Sequence, residues 1–308
     1  MDLYGNVAEE LVAPLKRLPK VDFESKFKVS LMKALPMRGQ RLVEGVSARN
    51  QSVGEAKVRI YEPEKPSKGA LVWIHGGGLI LGKPEQDDLM VSELARDLKV
   101  RVFSLGYRVA PKHPFPTPLN DCVTGYQWLL ENSKDFGVDD SNIVLVGASA
   151  GGGLAAALSM TLRDSGLLPK ATALLYPMLD DRTAAKTELD GTSLIWTNKS
   201  NRWAWTQYLG YAAGSKEPVR YSVPGRAEDL TGLAPTWIGV GDVDLFYQEN
   251  VVFANRLLLA GVETQLKVFK GYPHATESMV PNAEISKQFK GDLKSFVRQQ
   301  LARERVGY

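Results

Sequence analysis

The chain has 308 residues, 44% of them hydrophobic and 24% charged, which is close to average globular usage and excludes a disordered chain, a collagen repeat or a disulfide scaffold. Its 38 basic and 35 acidic residues leave a formal charge of +3 with both signs interleaved, so nucleic-acid binding gains no support. The single cysteine, Cys122, excludes an internal disulfide and a thiolate zinc cluster, and it fits a reduced, cytoplasmic setting.

The first twenty residues carry early acidic side chains and no apolar core of signal-peptide length, so export by that route is not expected. No apolar run approaches the roughly 18 residues needed to cross a bilayer, so membrane insertion is not expected either. Residues 1–40 read as helices jointed at Pro14, Pro19 and Pro36. RLVEGVSA from residue 41 and KVRIY at 57–61 read as an antiparallel strand pair, with the turn at residues 50–54. Beyond the spacer EPEKPSKG, short apolar runs recur at 70–74, 101–105, 142–146, 171–176, 236–240 and 265–269. Between them, residues 87–98, 120–131, 150–164 and 250–260 show helical spacing, the last stopped by Gly261. This alternation predicts an α/β fold with a mostly parallel central sheet and helices on both faces. Residues 180–230 interrupt it with an excursion carrying Trp196, Trp203, Trp205, Tyr208 and Tyr211, and long insertions in compact domains are usually functional. The expected organisation is therefore a helical cap made from residues 1–40 and 180–230, over a core made from residues 41–179 and 231–308.

The strongest chemical signal is Gly147-Ala148-Ser149-Ala150-Gly151, lying directly between the strand NIVLV and the small-residue helix that follows. That context reads as a nucleophile elbow, in which flanking glycines permit a sharp turn and leave the serine hydroxyl uncrowded. The helix beginning at Ala150 aims its positive end at the site. The plainer alternative makes Ser149 only a helix cap. Upstream, the strand LVWI runs into His75-Gly76-Gly77-Gly78. Acyl transfer builds negative charge on a carbonyl oxygen, and the N–H groups of Gly77, Gly78 and Ala150 would form the oxyanion hole.

A serine nucleophile needs a base, and there are three histidines. His75 is expected to order the glycine loop, and His113, set among prolines, to shape a turn. His274, in GYPHAT just past the last strand run, is the expected base. The strand TWIGV delivers Asp242 and Asp244 to its carboxyl end, and one of them should orient the imidazole. The order serine, acid, histidine is that of the α/β-hydrolases.

HGGG at 75–78, YRVAPKHPFP at 107–116, GASAGGG at 147–153, and DVDLFYQENVVFANRLLLAGV ahead of GYPH together resemble the hormone-sensitive-lipase-like branch of the α/β-hydrolases. The resemblance covers nearly all the chain from residue 55. It implies an α/β-hydrolase fold with a helical cap and a carboxylesterase acting on short-chain acyl esters through a Ser-His-Asp triad and an acyl-enzyme, with no metal and no cofactor. It also implies Asp244 as the acid, nine residues before Phe253-Ala254, and leaves Asp242 second. Ala148 departs from the family, which commonly has Asp there. Trp203 and Tyr208 become candidate substrate contacts, with plain packing as the alternative. The implied partner is a small-molecule ester, and a homodimer is left open. An amidase or peptidase on the same triad and a non-catalytic hydrolase-fold receptor are the rival readings. The receptor is disfavoured because Ser149, Asp244 and His274 are all present.

Overall fold

The computed structural model describes residues 2–19, 22–25, 27–30 and 41–304, so parts of the 1–40 segment expected to join a cap lie outside the described residues. The strands are β1 (Val46–Val53), β2 (Ala56–Pro63), β3 (Ala70–Ile74), β4 (Arg101–Leu105), β5 (Ile143–Ala148), β6 (Ala171–Leu175), β7 (Thr236–Gly241) and β8 (Thr264–Phe269). They form one sheet in the order β1-β2-β4-β3-β5-β6-β7-β8. From β4 to β8 every neighbouring pair is parallel, while β1 and β2 add an antiparallel hairpin at one edge. Every residue of β3, β5 and β7 is buried, because helices cover both faces and no polar alternation is needed.

The helices are α1 (Glu9–Lys16), α2 (Asp88–Leu98), α3 (Thr117–Asn132), α4 (Ala150–Asp164), α5 (Asp181–Ala185), α6 (Asn198–Leu209), α7 (Tyr247–Leu259), α8 (Thr276–Met279) and α9 (Glu284–Ala302). Alternate strand residues face opposite sides of the sheet. Val72, Leu145 and Ile238 pack with α3, α4 and α7 through Tyr126, Leu158 and Phe253, whereas Trp73, Val144 and Trp237 pack with α2 and α9 through Leu94 and Phe289.

The hairpin corrects the expected strand ends. Residues 41–45 are not strand, since Gly45 takes a φ of 79° and breaks the extended run before Val46. Nor do residues 50–54 form the turn: pairing continues to Val53 opposite Ala56, leaving the two-residue loop Gly54-Glu55. Gly54, with φ 56°, supplies the left-handed backbone such tight hairpins require. β1 is an edge strand with alternating exposure, so Asn50, Gln51 and Ser52 stand in it without a burial penalty. Helix α3 starts earlier than its apolar spacing suggested, because Pro118 sits in the first turn, where its missing N–H costs no helical bond.

The 180–230 excursion holds α5, α6 and short 3₁₀ turns at Thr187–Leu189 and Pro224–Arg226. It meets the N-terminal segment where the Phe23 N–H donates to Ser200 Oγ at 2.8 Å, the Thr197 hydroxyl donates to Asp22 at 2.6 Å, and the Phe23 and Trp196 rings stack at 6.2 Å. At its root, the buried Glu249 carboxyl accepts the Leu179 N–H at 2.6 Å and the Asp180 N–H at 3.2 Å, and Asn250 Nδ2 donates to the Pro177 carbonyl at 2.7 Å. Burial pushes the Glu249 carboxyl up to about 8 from an ordinary 4.5. The folded protein thus keeps a proton that the unfolded chain releases, so this contribution to stability is full below the ordinary value and is lost as pH rises through about 8. Urea midpoints of wild type and Glu249→Gln, taken at pH 5 and pH 8, should show wild type losing ground to the variant as pH rises, and a constant difference would refute this. Among the described residues, no helix is long and apolar enough to cross a membrane.

Candidate active site

Strand β5 ends in a turn that Ser149 makes with φ 55° and ψ −120°, a conformation held by its surroundings at a cost that a free chain would not bear. Its N–H donates to the Leu175 carbonyl at 2.9 Å, and its own carbonyl accepts the Met178 N–H at 3.0 Å and the Gly153 N–H at 3.1 Å. The flanking glycines are required by space: a Cβ on Gly147 would lie 2.3 Å from the Gly151 carbonyl oxygen, and one on Gly151 would lie 2.2 Å from that of Ile74. The Ser149 hydroxyl makes no cap bond to α4. It lies instead 2.8 Å from His274 Nε2.

His274 follows β8, and its Nδ1 lies 2.8 Å from Asp244 Oδ2 on the loop after β7. With Nδ1 as donor to the carboxylate, Nε2 is left to accept the serine proton. The other Asp244 oxygen accepts the Phe246 N–H at 2.8 Å, which fixes the carboxylate, and its side chain is fully buried. The imidazole is also walled by the rings of Tyr176 and Phe246, at 4.7 and 5.3 Å between centroids. Asp242 is turned elsewhere, accepting the Gly271 N–H at 2.6 Å and so anchoring the chain that leads to His274. All three groups of the Ser149, His274 and Asp244 line stand past the carboxyl ends of parallel strands, where α/β sheets place their chemistry.

The glycine loop passes beside Ser149, since a Cβ on Gly76 would come within 3.4 Å of the serine Cβ. Gly77 and Gly78 take φ of 121° and 62°, and a side chain on Gly78 would strike the Trp196 indole at 2.1 Å. Among the described residues, neither the Gly77 nor the Gly78 N–H is used by another protein group, which leaves both free for a ligand oxygen. His75 is fully buried, stacks on Tyr107 at 4.3 Å and sets Nδ1 2.8 Å from the Gly76 carbonyl, to which it donates. Burial pushes it down to about 4, so it stays neutral near pH 7. His113 takes no part in the serine's contacts.

Tyr208 lines a small cavity of about 10 Å³ together with Ala150, Leu154, Met178, Trp205 and Tyr221. Trp203, on the same helix, packs half-buried against the core and does not line that cavity. Met178 and Trp205 line this cavity without any sequence signal that marks them for it. An aromatic-rich helix gives no clue to which of its residues packs beside Ala150. Among the described residues, no three or more His, Cys, Asp or Glu side chains gather in a way that could hold a metal ion.

A protein-family model described as alpha/beta hydrolase fold matches residues 71–278. The chain is 32% identical over 260 residues to the carboxylic ester hydrolase LipN of Mycobacterium tuberculosis, covering 81% of this chain and 68% of that protein. It is 30% identical over 224 residues to the ethyl acetate hydrolase of Pseudomonas putida, covering 70% of each. Among solved structures it is similar to a bacterial heroin esterase, with a TM-score of 0.88, 32% identity, and coverage of 97% of this chain and 99% of that one.

Proposed function

The chain belongs to the α/β-hydrolase-fold family, in its hormone-sensitive-lipase-like branch, and from that membership we propose that it is a serine carboxylesterase acting on short-chain acyl esters. The observation that carries the proposal is the unbroken line from Ser149 Oγ through His274 to Asp244, with both links at 2.8 Å. In the reaction, Ser149 Oγ attacks the ester carbonyl carbon while His274 Nε2 takes its proton, and the buried Asp244 carboxylate stabilises the imidazolium that results. The free N–H groups of Gly77 and Gly78, with that of Ala150 at the start of α4, meet the oxyanion as it forms. The imidazolium then protonates the departing alcohol, leaving an acyl-Ser149. Water, activated by the same imidazole, attacks this acyl-enzyme and releases the acid.

The acyl chain is proposed to be stopped beside Ala150, where Tyr208 and its neighbours leave only about 10 Å³ of space, under a cap drawn from residues 1–40 and 180–230. Each methylene that a closed pocket accepts or refuses is worth about 1–3 kcal/mol, so a filled wall at that point produces a steep fall in rate with chain length. A panel of aryl esters from two to sixteen acyl carbons, run beside matching anilides, should give an optimum at about two to eight carbons and little anilide cleavage. Tyr208→Ala should move the optimum to longer chains, and Trp203→Ala should leave it in place. An optimum at sixteen carbons, or anilides cleaved as fast as esters, would reject this substrate class.

A further inference from the structure

We propose that Tyr176 and Glu277 are positioning residues that brace His274 against Ser149, an inference that rests on the proposed hydrolytic reaction. Strand β6 ends at Leu175, and Tyr176 turns out of it with φ 36°, a region that non-glycine residues avoid unless their surroundings hold them there. Its N–H is held by the Gly239 carbonyl at 2.6 Å. The residues around it grip the nucleophile's backbone: Leu175 accepts the Ser149 N–H, and Met178 donates to the Ser149 carbonyl. The Tyr176 ring meets the His274 ring at 4.7 Å and 65°, and stacks on Phe289 of α9 at 5.8 Å.

The Tyr176 hydroxyl donates to the buried Glu277 carboxylate, which lies on α8 three residues beyond His274. The other Glu277 oxygen accepts the Tyr272 hydroxyl at 2.7 Å, two residues before His274. One carboxylate therefore closes the base's loop from both sides and ties it to the segment that holds the serine backbone. Burial and then the adjoining Glu277 charge raise the Tyr176 hydroxyl well above its ordinary value, so it stays a donor. It exchanges no proton with the imidazole, whose two nitrogens already face Ser149 and Asp244. Its work is geometric, and a displacement near 1 Å at reacting atoms can cost about a hundredfold in rate.

Packing alone would need only the ring, whereas a brace needs the hydroxyl and its acceptor. Tyr176→Phe, confirmed as folded by circular dichroism, should lose about tenfold in kcat on a short aryl ester with KM within about twofold of wild type. The rate of Ser149 modification by an organophosphonate should fall in parallel. Glu277→Gln, which keeps an acceptor for the hydroxyl, should recover most of the rate, and Glu277→Ala should match Tyr176→Phe. The low-field proton resonance of His274 Nδ1 should broaden or shift in Tyr176→Phe and Glu277→Ala but not in Glu277→Gln, a readout that needs no turnover. A folded Tyr176→Phe with wild-type kcat and an unmoved resonance would overturn the brace while leaving the esterase reading intact. An inert wild type that no phosphonate labels would instead remove the esterase reading, and the brace with it.

Discussion

Replacing Ser149 by alanine should leave a folded protein whose ester hydrolysis has fallen on the order of a millionfold. The two halves of that result have separate causes. Activity depends on the hydroxyl, which is the group set 2.8 Å from His274 Nε2. Folding does not depend on it, because the bonds that hold residue 149 in place run through its backbone N–H and carbonyl, and the side chain makes no cap bond to α4. Alanine also keeps the Cβ, so the strain at φ 55° is unchanged. The residual rate should come from the oxyanion N–H groups and from binding alone. The checks are kcat on a short aryl ester, a circular dichroism melt, and mass mapping of wild type treated with an organophosphonate. A label found on any residue other than Ser149 would sink the assignment.

The two aspartates near the base should separate as sharply. Asp244→Asn should lose about ten-thousandfold in turnover, because a neutral amide facing Nδ1 neither holds the productive tautomer nor stabilises the imidazolium. Asp242→Asn keeps an oxygen for the Gly271 N–H and exchanges a charge-assisted bond for a neutral one, a cost of about 1 kcal/mol in stability with little change in kcat. Parallel kinetics and urea melts on both variants decide the matter. Equal losses of rate, or a larger one at Asp242, would transfer the role.

What could be read from the chain alone was what each residue's own conformational preferences dictate over a few neighbours. The runs at 70–74 and 101–105 coincide with β3 and β4 because a strand buried on both faces leaves a mostly apolar run in the sequence. The helix expected over 150–164 is α4, end to end. GASAG and HGGG were legible for the same reason, since only glycine fits the approaches of 2.1–2.3 Å that a Cβ would make at Gly147, Gly77 and Gly78. The hairpin misled the reading because an exposed edge strand tolerates the polar residues that elsewhere announce a turn.

Tertiary structure decided which side chains meet. Asp242 and Asp244 stand two residues apart after one strand, and only the path of the β8–α8 connection sends one carboxylate to Gly271 and the other to His274. Trp203 and Tyr208 share α6, and only its packing sets Tyr208 beside Ala150. Nothing about a tyrosine before a proline announces that Tyr176 will meet a glutamate 101 residues away. Such meetings join elements whose relative placement is settled by strand order and loop course across the whole sheet. They depend on the collective packing of the fold, and no local stretch of sequence carries enough of it to fix them.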